Sequence, residues 1–352
     1  MTGTGEAAVR AALDAQRGWC ETLGSPFTAR LCGLLGKRLD RRTPIARRML
    51  DWPGQPDALH DSVPLRIAGG LHALVRRGRL PGLAALYPPA PLPDPDALWA
   101  AVSAALAEAG DELDRWLDGP PQTNEVARSA VLIAGLCTVA AETALPLAVY
   151  ELGASAGLNL LFDRYDCRLG QRRLGEPSSR VLLAPSWTGG ELPDAPIRIA
   201  SRRGVDTAPL DAADPGDRER LLAYVWADQA DRLARLEGAL AIAAADPPSI
   251  DRADAADWIE AEFGPSPAAG ACRVVMHSIA FQYFPPETQR RVRACIESAG
   301  RAADASAAVA WLRYETDPAF AGRASLRLTT WPDGTDRLLA LADAHGRAVE
   351  WR

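Results

Sequence analysis

The stretch Leu147–Phe162, LAVYELGASAGLNLLF, decides how the rest of the chain is read. An apolar run ends in an acid, Glu151, enters a Gly/Ala/Ser turn and resumes with apolar residues. Leu147, Val149 and Leu152 predict a short strand buried on both faces of a parallel sheet. Gly153 and Gly157 permit a tight turn and close backbone approach, and Leu158, Leu160, Leu161 and Phe162 supply the buried face of a helix expected to follow. A strand, a glycine turn and a helix N-terminus in succession form a seat for a nucleotide-like ligand. Glu151, at the strand's carboxyl end, is placed to accept hydrogen bonds from a ligand's hydroxyls or amine.

Two motif readings compete for this turn. As E-x-G-x-x-x-G-x-N it resembles the first motif of the S-adenosylmethionine-dependent methyltransferases, with Ser155 where the middle glycine is usual. That resemblance implies that Glu151, Gly153, Ala154, Ser155, Gly157 and Asn159 hold S-adenosylmethionine. As G-x-S-x-G, Gly153 to Gly157 matches the nucleophile elbow of the α/β-hydrolases, which makes Ser155 a nucleophile. The third reading is a strand-to-helix turn that binds nothing.

The chain has 352 residues, 48% hydrophobic and 24% charged, an ordinary globular composition long enough for two domains. A net charge of −6 argues against nucleic-acid binding by phosphate neutralisation. No apolar run approaches the length needed to span a bilayer and no apolar leader precedes Trp19, so the expectation is a cytoplasmic protein without membrane contact. The six cysteines are scattered without a CxxC pair, and the four histidines form no HExxH arrangement. Neither a disulfide framework nor a protein-bound metal is signalled.

Residues 1–118 read as a helical domain, with helical spacing over Ala8–Leu23, Thr28–Leu39, Pro64–Val75 and Leu98–Leu117 between proline-rich loops. Residues 119–352 read as an α/β domain with an insertion at about 165–196. Gln122-Thr123-Asn124-Glu125 is expected to open the helix before the nucleotide-binding strand, with Thr123 as its N-cap. Asn124, Glu125 and Arg128 are then candidates either for capping that helix or for closing over a ligand. A second strand is expected to end at Asp206, a candidate for holding a ribose. Asp254-Ala255 resembles the methyltransferase segment that meets adenine, although capping of the next helix explains Asp254 equally well.

The strand Cys272–Ser278, followed by an aromatic loop and Pro286, resembles the fourth methyltransferase motif. His277 is therefore the general-base candidate, with Tyr283 beside it, against the alternative of a histidine hydrogen-bonded within the sheet. Ala307–Tyr314, Ser325–Trp331, Arg337–Ala342 and Ala348–Trp351 alternate as closing antiparallel strands do. An α/β-hydrolase needs a late histidine, for which His277 or His345 is available, but no His-Gly-Gly segment precedes Ser155.

Gln122–Glu125, Glu151–Asn159, Gly204–Asp206 and His277-Ser278, in this order, resemble an uncharacterised bacterial family known only as a domain of unknown function. The resemblance covers nearly the whole chain. It implies a Rossmann-like methyltransferase-type α/β sheet, parallel with an antiparallel C-terminal hairpin, after a helical N-terminal domain. The leading expectation is an S-adenosylmethionine-dependent methyltransferase acting on a small molecule, with His277 taking the acceptor's proton. The alternatives are a non-methylating displacement or elimination on a natural-product substrate, such as sulfate loss with small-ring closure, a serine hydrolase at Ser155, and an inactive partner subunit.

Overall fold

The computed structural model describes residues 3–263, 269–320 and 322–352. Two compact units divide the chain, one of residues 1–123 with 215–234, the other of residues 124–214 with 235–352.

The first unit is helical. Its helices include Gly3–Thr22, Pro26–Arg38, Val63–Arg76 and Pro95–Glu108, close to the expected spans. Helix Val63–Arg76 turns a glycine, Gly69, toward Tyr224, where an added Cβ would lie 2.7 Å from the ring. His72 Nδ1 lies 3.2 Å from the Ala223 carbonyl, and the amide of Phe27 donates to Asp228 at 2.8 Å. These contacts explain why residues 215–234 pack here, although their place in the sequence suggests the α/β domain.

Among the described residues the second unit is built on twelve strands: β1 (Leu147–Leu152), β2 (Asp166–Leu169), β3 (Arg172–Gly175), β4 (Leu182–Leu183), β5 (Ser186–Gly189), β6 (Ile199–Asp206), β7 (Ile250–Arg252), β8 (Cys272–Ser278), β9 (Val309–Thr316), β10 (Ala324–Trp331), β11 (Thr335–Ala342) and β12 (Ala348–Trp351). Nine of them form a mixed sheet in the order β5-β12-β11-β10-β9-β8-β1-β6-β7. The run β7-β6-β1-β8-β9 is parallel, and β10, β11 and β12 continue from it antiparallel to one another. β8 is buried at every position, as a central strand covered on both faces must be.

The insertion forms a small sheet in the order β3-β2-β4 and then lends β5 to the outer edge of the large one. Chain order reverses between β1 and β8, which makes the carboxyl ends of these two strands a topological switch point. Among the described residues no helix is long and apolar enough to cross a membrane.

Two local expectations change. Leu158–Arg164 is a 3-10 helix interrupted at Leu161 rather than a full α-helix, so the turn does not deliver a long helix dipole. The helix before β1 begins at Arg128, not at Thr123, and Gln122–Glu125 lies ahead of it without regular secondary structure.

Candidate functional site

Glu151 pairs in register with Gly204 on β6 and Met276 on β8, so its carboxyl is delivered into the sheet's covered interior. Only 2% of the residue is exposed. Burial pushes the carboxyl up to about 8, aided by the nearby Asp206 charge, while Asn159 and the positive charge of Arg128 pull the other way. One carboxylate oxygen, Oε2, has no partner in the protein. Buried polar atoms are nearly always paired, so Glu151 Oε2 retains the capacity for one further hydrogen bond.

The glycine turn is held open by three successive left-handed residues at alternate positions, Gly153 at φ +70°, Ser155 at +55° and Gly157 at +69°. Most of its amides are already engaged. Those of Gly153 and Ala154 donate to the Val205 carbonyl at 2.9 and 3.0 Å, that of Ser155 to Asp206 Oδ2 at 2.8 Å, and that of Leu158 to Asn124 Oδ1 at 3.0 Å. A Cβ on Gly153 would lie 2.8 Å from that of Ala280, so the protein fills the space beside this glycine. Asp206 and Asn124 therefore serve the turn's own backbone, and neither is presented to a ribose by these bonds. Among the described residues the buried Ser155 hydroxyl has no hydrogen-bond partner, histidine included, so it lacks the hydrogen-bonded base that an elbow nucleophile needs.

Asn159 accepts from Ser129 Oγ at 2.8 Å, linking the 3-10 helix to the helix before β1. Glu125 accepts the Ala127 amide at 3.2 Å and faces His345 Nδ1 at 3.3 Å. Arg128 donates to the Ser278 carbonyl and the Ala344 carbonyl, both at 3.0 Å. Asn124, Glu125, Arg128, Glu151 and Asn159 thus gather around the carboxyl ends of β1 and β8. His345, which the sequence offers only as a late histidine for an α/β-hydrolase, joins them from the turn Asp343–Gly346.

His277 does not join them. Trp311 Nε1 donates to its Nε2 at 3.1 Å, and its Nδ1 faces Glu315 Oε1 at 2.6 Å. With Nε2 accepting, the proton sits on Nδ1 and donates to Glu315. Burial opposes ionisation of Glu315, yet His277 and the amides of Ala280 and Phe281 hold its carboxyl below the ordinary value. The ring is 1% exposed and stacked on Phe281 at 4.7 Å. A general base at His277 does not fit this geometry, because neither nitrogen has a lone pair left for a substrate proton.

Tyr283 is 53% exposed on the loop after β8, and its backbone follows a 3-10 turn. Asp254 accepts the amides of Ala256 and Asp257 and the Thr288 hydroxyl, so it caps the helix Ala255–Phe263, whose first residue, Ala255, is buried. The capping alternative describes this segment, and the adenine role of Asp254-Ala255 has no geometric support. One feature at the site has no sequence signature. Ile279, directly after β8, has φ +47°, a conformation costly for a β-branched residue.

No curated protein and no solved structure matches the chain. The family described as "uncharacterized protein conserved in bacteria (DUF2332)" matches residues 10–351, and the chain belongs to that family.

Proposed function

We propose that the protein is an enzyme acting on a small polar molecule at the carboxyl ends of β1 and β8, by a displacement or elimination that transfers no methyl group. The observation that carries this reading is the buried Glu151 carboxyl with its unpartnered oxygen, pushed up to about 8. A carboxyl poised near working pH is matched to taking a proton from an amine. In such a reaction a substrate amine attacks a carbon bearing an oxyanion leaving group. The N–C bond forms, the C–O bond breaks with its electrons leaving on the anion, and the nitrogen's proton passes to Glu151. Arg128 adds positive charge close enough to act on Glu151, which favours departure of an anion such as sulfate.

The simplest probe is 2-aminoethyl hydrogen sulfate, which would release inorganic sulfate as a three-membered ring closes. The expected result is sulfate release by the wild type, without added cofactor, that falls at least a hundredfold, an order-of-magnitude figure, in Glu151→Gln. Equal release by the two proteins would remove Glu151 from the chemistry.

A second reading keeps the crevice and makes it a methyltransferase site for S-adenosylmethionine. It is favoured by the strand order β7-β6-β1-β8-β9 with an acid at the end of β1. Calorimetric titration with S-adenosylmethionine and S-adenosylhomocysteine separates the two readings, since the displacement needs neither.

A further inference from the structure

The turn that follows β8 is held in a strained shape. The peptide joining Ser278 to Ile279 is fixed at both ends: the Ile279 amide donates to the Tyr314 carbonyl on β9 at 2.8 Å, and the Ser278 carbonyl accepts from Arg128 Nη1 at 3.0 Å. Directly after it Ile279 takes φ +47°, and the next two amides, those of Ala280 and Phe281, both donate to Glu315 Oε1 at 3.1 Å. Ala280 also packs against the glycine turn, where its Cβ would meet one added to Gly153 at 2.8 Å.

A β-branched residue resists the left-handed conformation and keeps it only where the surroundings hold it there. Glu315 is the holder. One of its oxygens takes three donors, the two amides and His277 Nδ1 at 2.6 Å, and successive amides turned to one side form a seat for a carboxylate. Trp311 engages the other His277 nitrogen at 3.1 Å, so the lock reaches back into the sheet. Backbone strain of this kind collects where a site needs a fixed geometry.

What the strain fixes here is the Ser278 carbonyl. Arg128, at the start of the helix before β1, is bonded to this carbonyl and to that of Ala344. We propose that Glu315 and Ile279 are positioning residues of the Glu151 site: Glu315 holds Ile279 left-handed, the bent turn aims the Ser278 carbonyl at Arg128, and the guanidinium is thereby kept where its charge reaches Glu151. The inference rests on the proposed function only in giving Arg128 a task in the chemistry. Groups that act on Glu151 include Asp206, Arg128 and Tyr165, and of these Arg128 is the one bonded to the turn.

The test follows the titration of Glu151 in the free protein, read as the pH above which the stability difference between each protein and its Glu151→Gln counterpart stops changing in urea unfolding. In Glu315→Ala the turn relaxes, Arg128 loses the Ser278 carbonyl, and Glu151 should titrate about 0.5–1 pH unit higher than in the wild type. The direction is diagnostic, because removal of a nearby negative charge by itself lowers a carboxyl's titration. Ile279→Gly adopts the left-handed turn without steric cost. Alone it should leave the titration where it is, and combined with Glu315→Ala it should bring the titration back toward the wild-type value. If Glu315→Ala does not fold, Glu315→Gln, which keeps an oxygen for the amides and drops the charge, should show a smaller rise. An unmoved or lowered titration in the folded Glu315 variant, or no recovery on adding Ile279→Gly, overturns the inference. A raised titration that Ile279→Gly reverses, without Glu151-dependent sulfate release, sinks the proposed function alone. Glu151-dependent release with an unmoved titration sinks the positioning role alone.

Discussion

The indole of Trp311 donates its N–H to Nε2 of His277 at 3.1 Å, and so fixes which imidazole nitrogen carries the proton. This makes His277 part of the sheet's internal bonding. His277→Ala should cost about 3–5 kcal/mol of stability, from the lost ring and from leaving the Trp311 indole and Glu315 unpaired. Chemical denaturation measures it. A variant as stable as the wild type, with catalysis alone impaired, would return His277 to the mechanism.

Burial pushes the Glu151 carboxyl from its ordinary value of 4.5 up to about 8 in the folded protein. Because the folded value is the higher, the neutral carboxyl's contribution is fully present below pH 4.5. It falls as pH rises through the window between these values, and is gone above about 8. Glu151→Gln carries no such titration. Its unfolding free energy should therefore exceed that of the wild type near pH 8.5, with the wild type losing on the order of 4 kcal/mol across the window and the variant much less. Urea unfolding at pH 5, 7 and 8.5 reads the difference, and parallel pH dependences would show that Glu151 is not the buried group.

The Ser155 amide and Asp206 carboxylate, 2.8 Å apart, hold the left-handed turn. Asp206→Ala should destabilise the second unit by about 1.5–3 kcal/mol, as loss of a bond to a charged group does. If Asp206 instead serves a ligand, the variant loses affinity without losing stability, a pattern that thermal unfolding of the free protein distinguishes.

Gly153→Ala should cost about 1–3 kcal/mol, since it combines a positive φ with a Cβ contact of 2.8 Å to Ala280. Ala280→Gly in the same chain should recover the steric share and leave the backbone share. Strict additivity of the two substitutions in a double-mutant cycle would mean that the residues do not touch.

Ser155→Ala removes a buried hydroxyl without a partner and keeps the backbone as it is. Its stability should stay within about 1 kcal/mol of the wild type or rise slightly, and wild-type Ser155 should resist a fluorophosphonate probe. Covalent labelling lost in Ser155→Ala would restore the hydrolase reading.

Much of the second unit was legible because its strands carry their own pattern. The apolar run of β8 and the alternation of β9 to β12 fall within a few residues of their expected spans. The site was less legible, for a physical reason. Asp206, Asn124 and Asp254 are residue types that hydrogen-bond backbone amides as readily as ligands, and only three-dimensional proximity shows that the amides of Ser155, Leu158 and Ala256 claim them. His277 looked catalytic by position, while Trp311 and Glu315, which occupy it, lie more than thirty residues later on β9. The register of Glu151 between Gly204 and Met276, by contrast, follows from its place at the end of β1, and that position was read correctly from the sequence.

Arg128 is anchored by the carbonyl of Ala344, 216 residues further along the chain, and Glu125 by His345 beside it. During synthesis the helix before β1 therefore leaves the ribosome long before its clasp does. The strands can begin to pair as they emerge, but the crevice waits for residues 343–347. A nascent or truncated chain ending before them would carry most of the sheet and an unfinished site, with Arg128 and Glu125 lacking the bonds that Ala344 and His345 later supply.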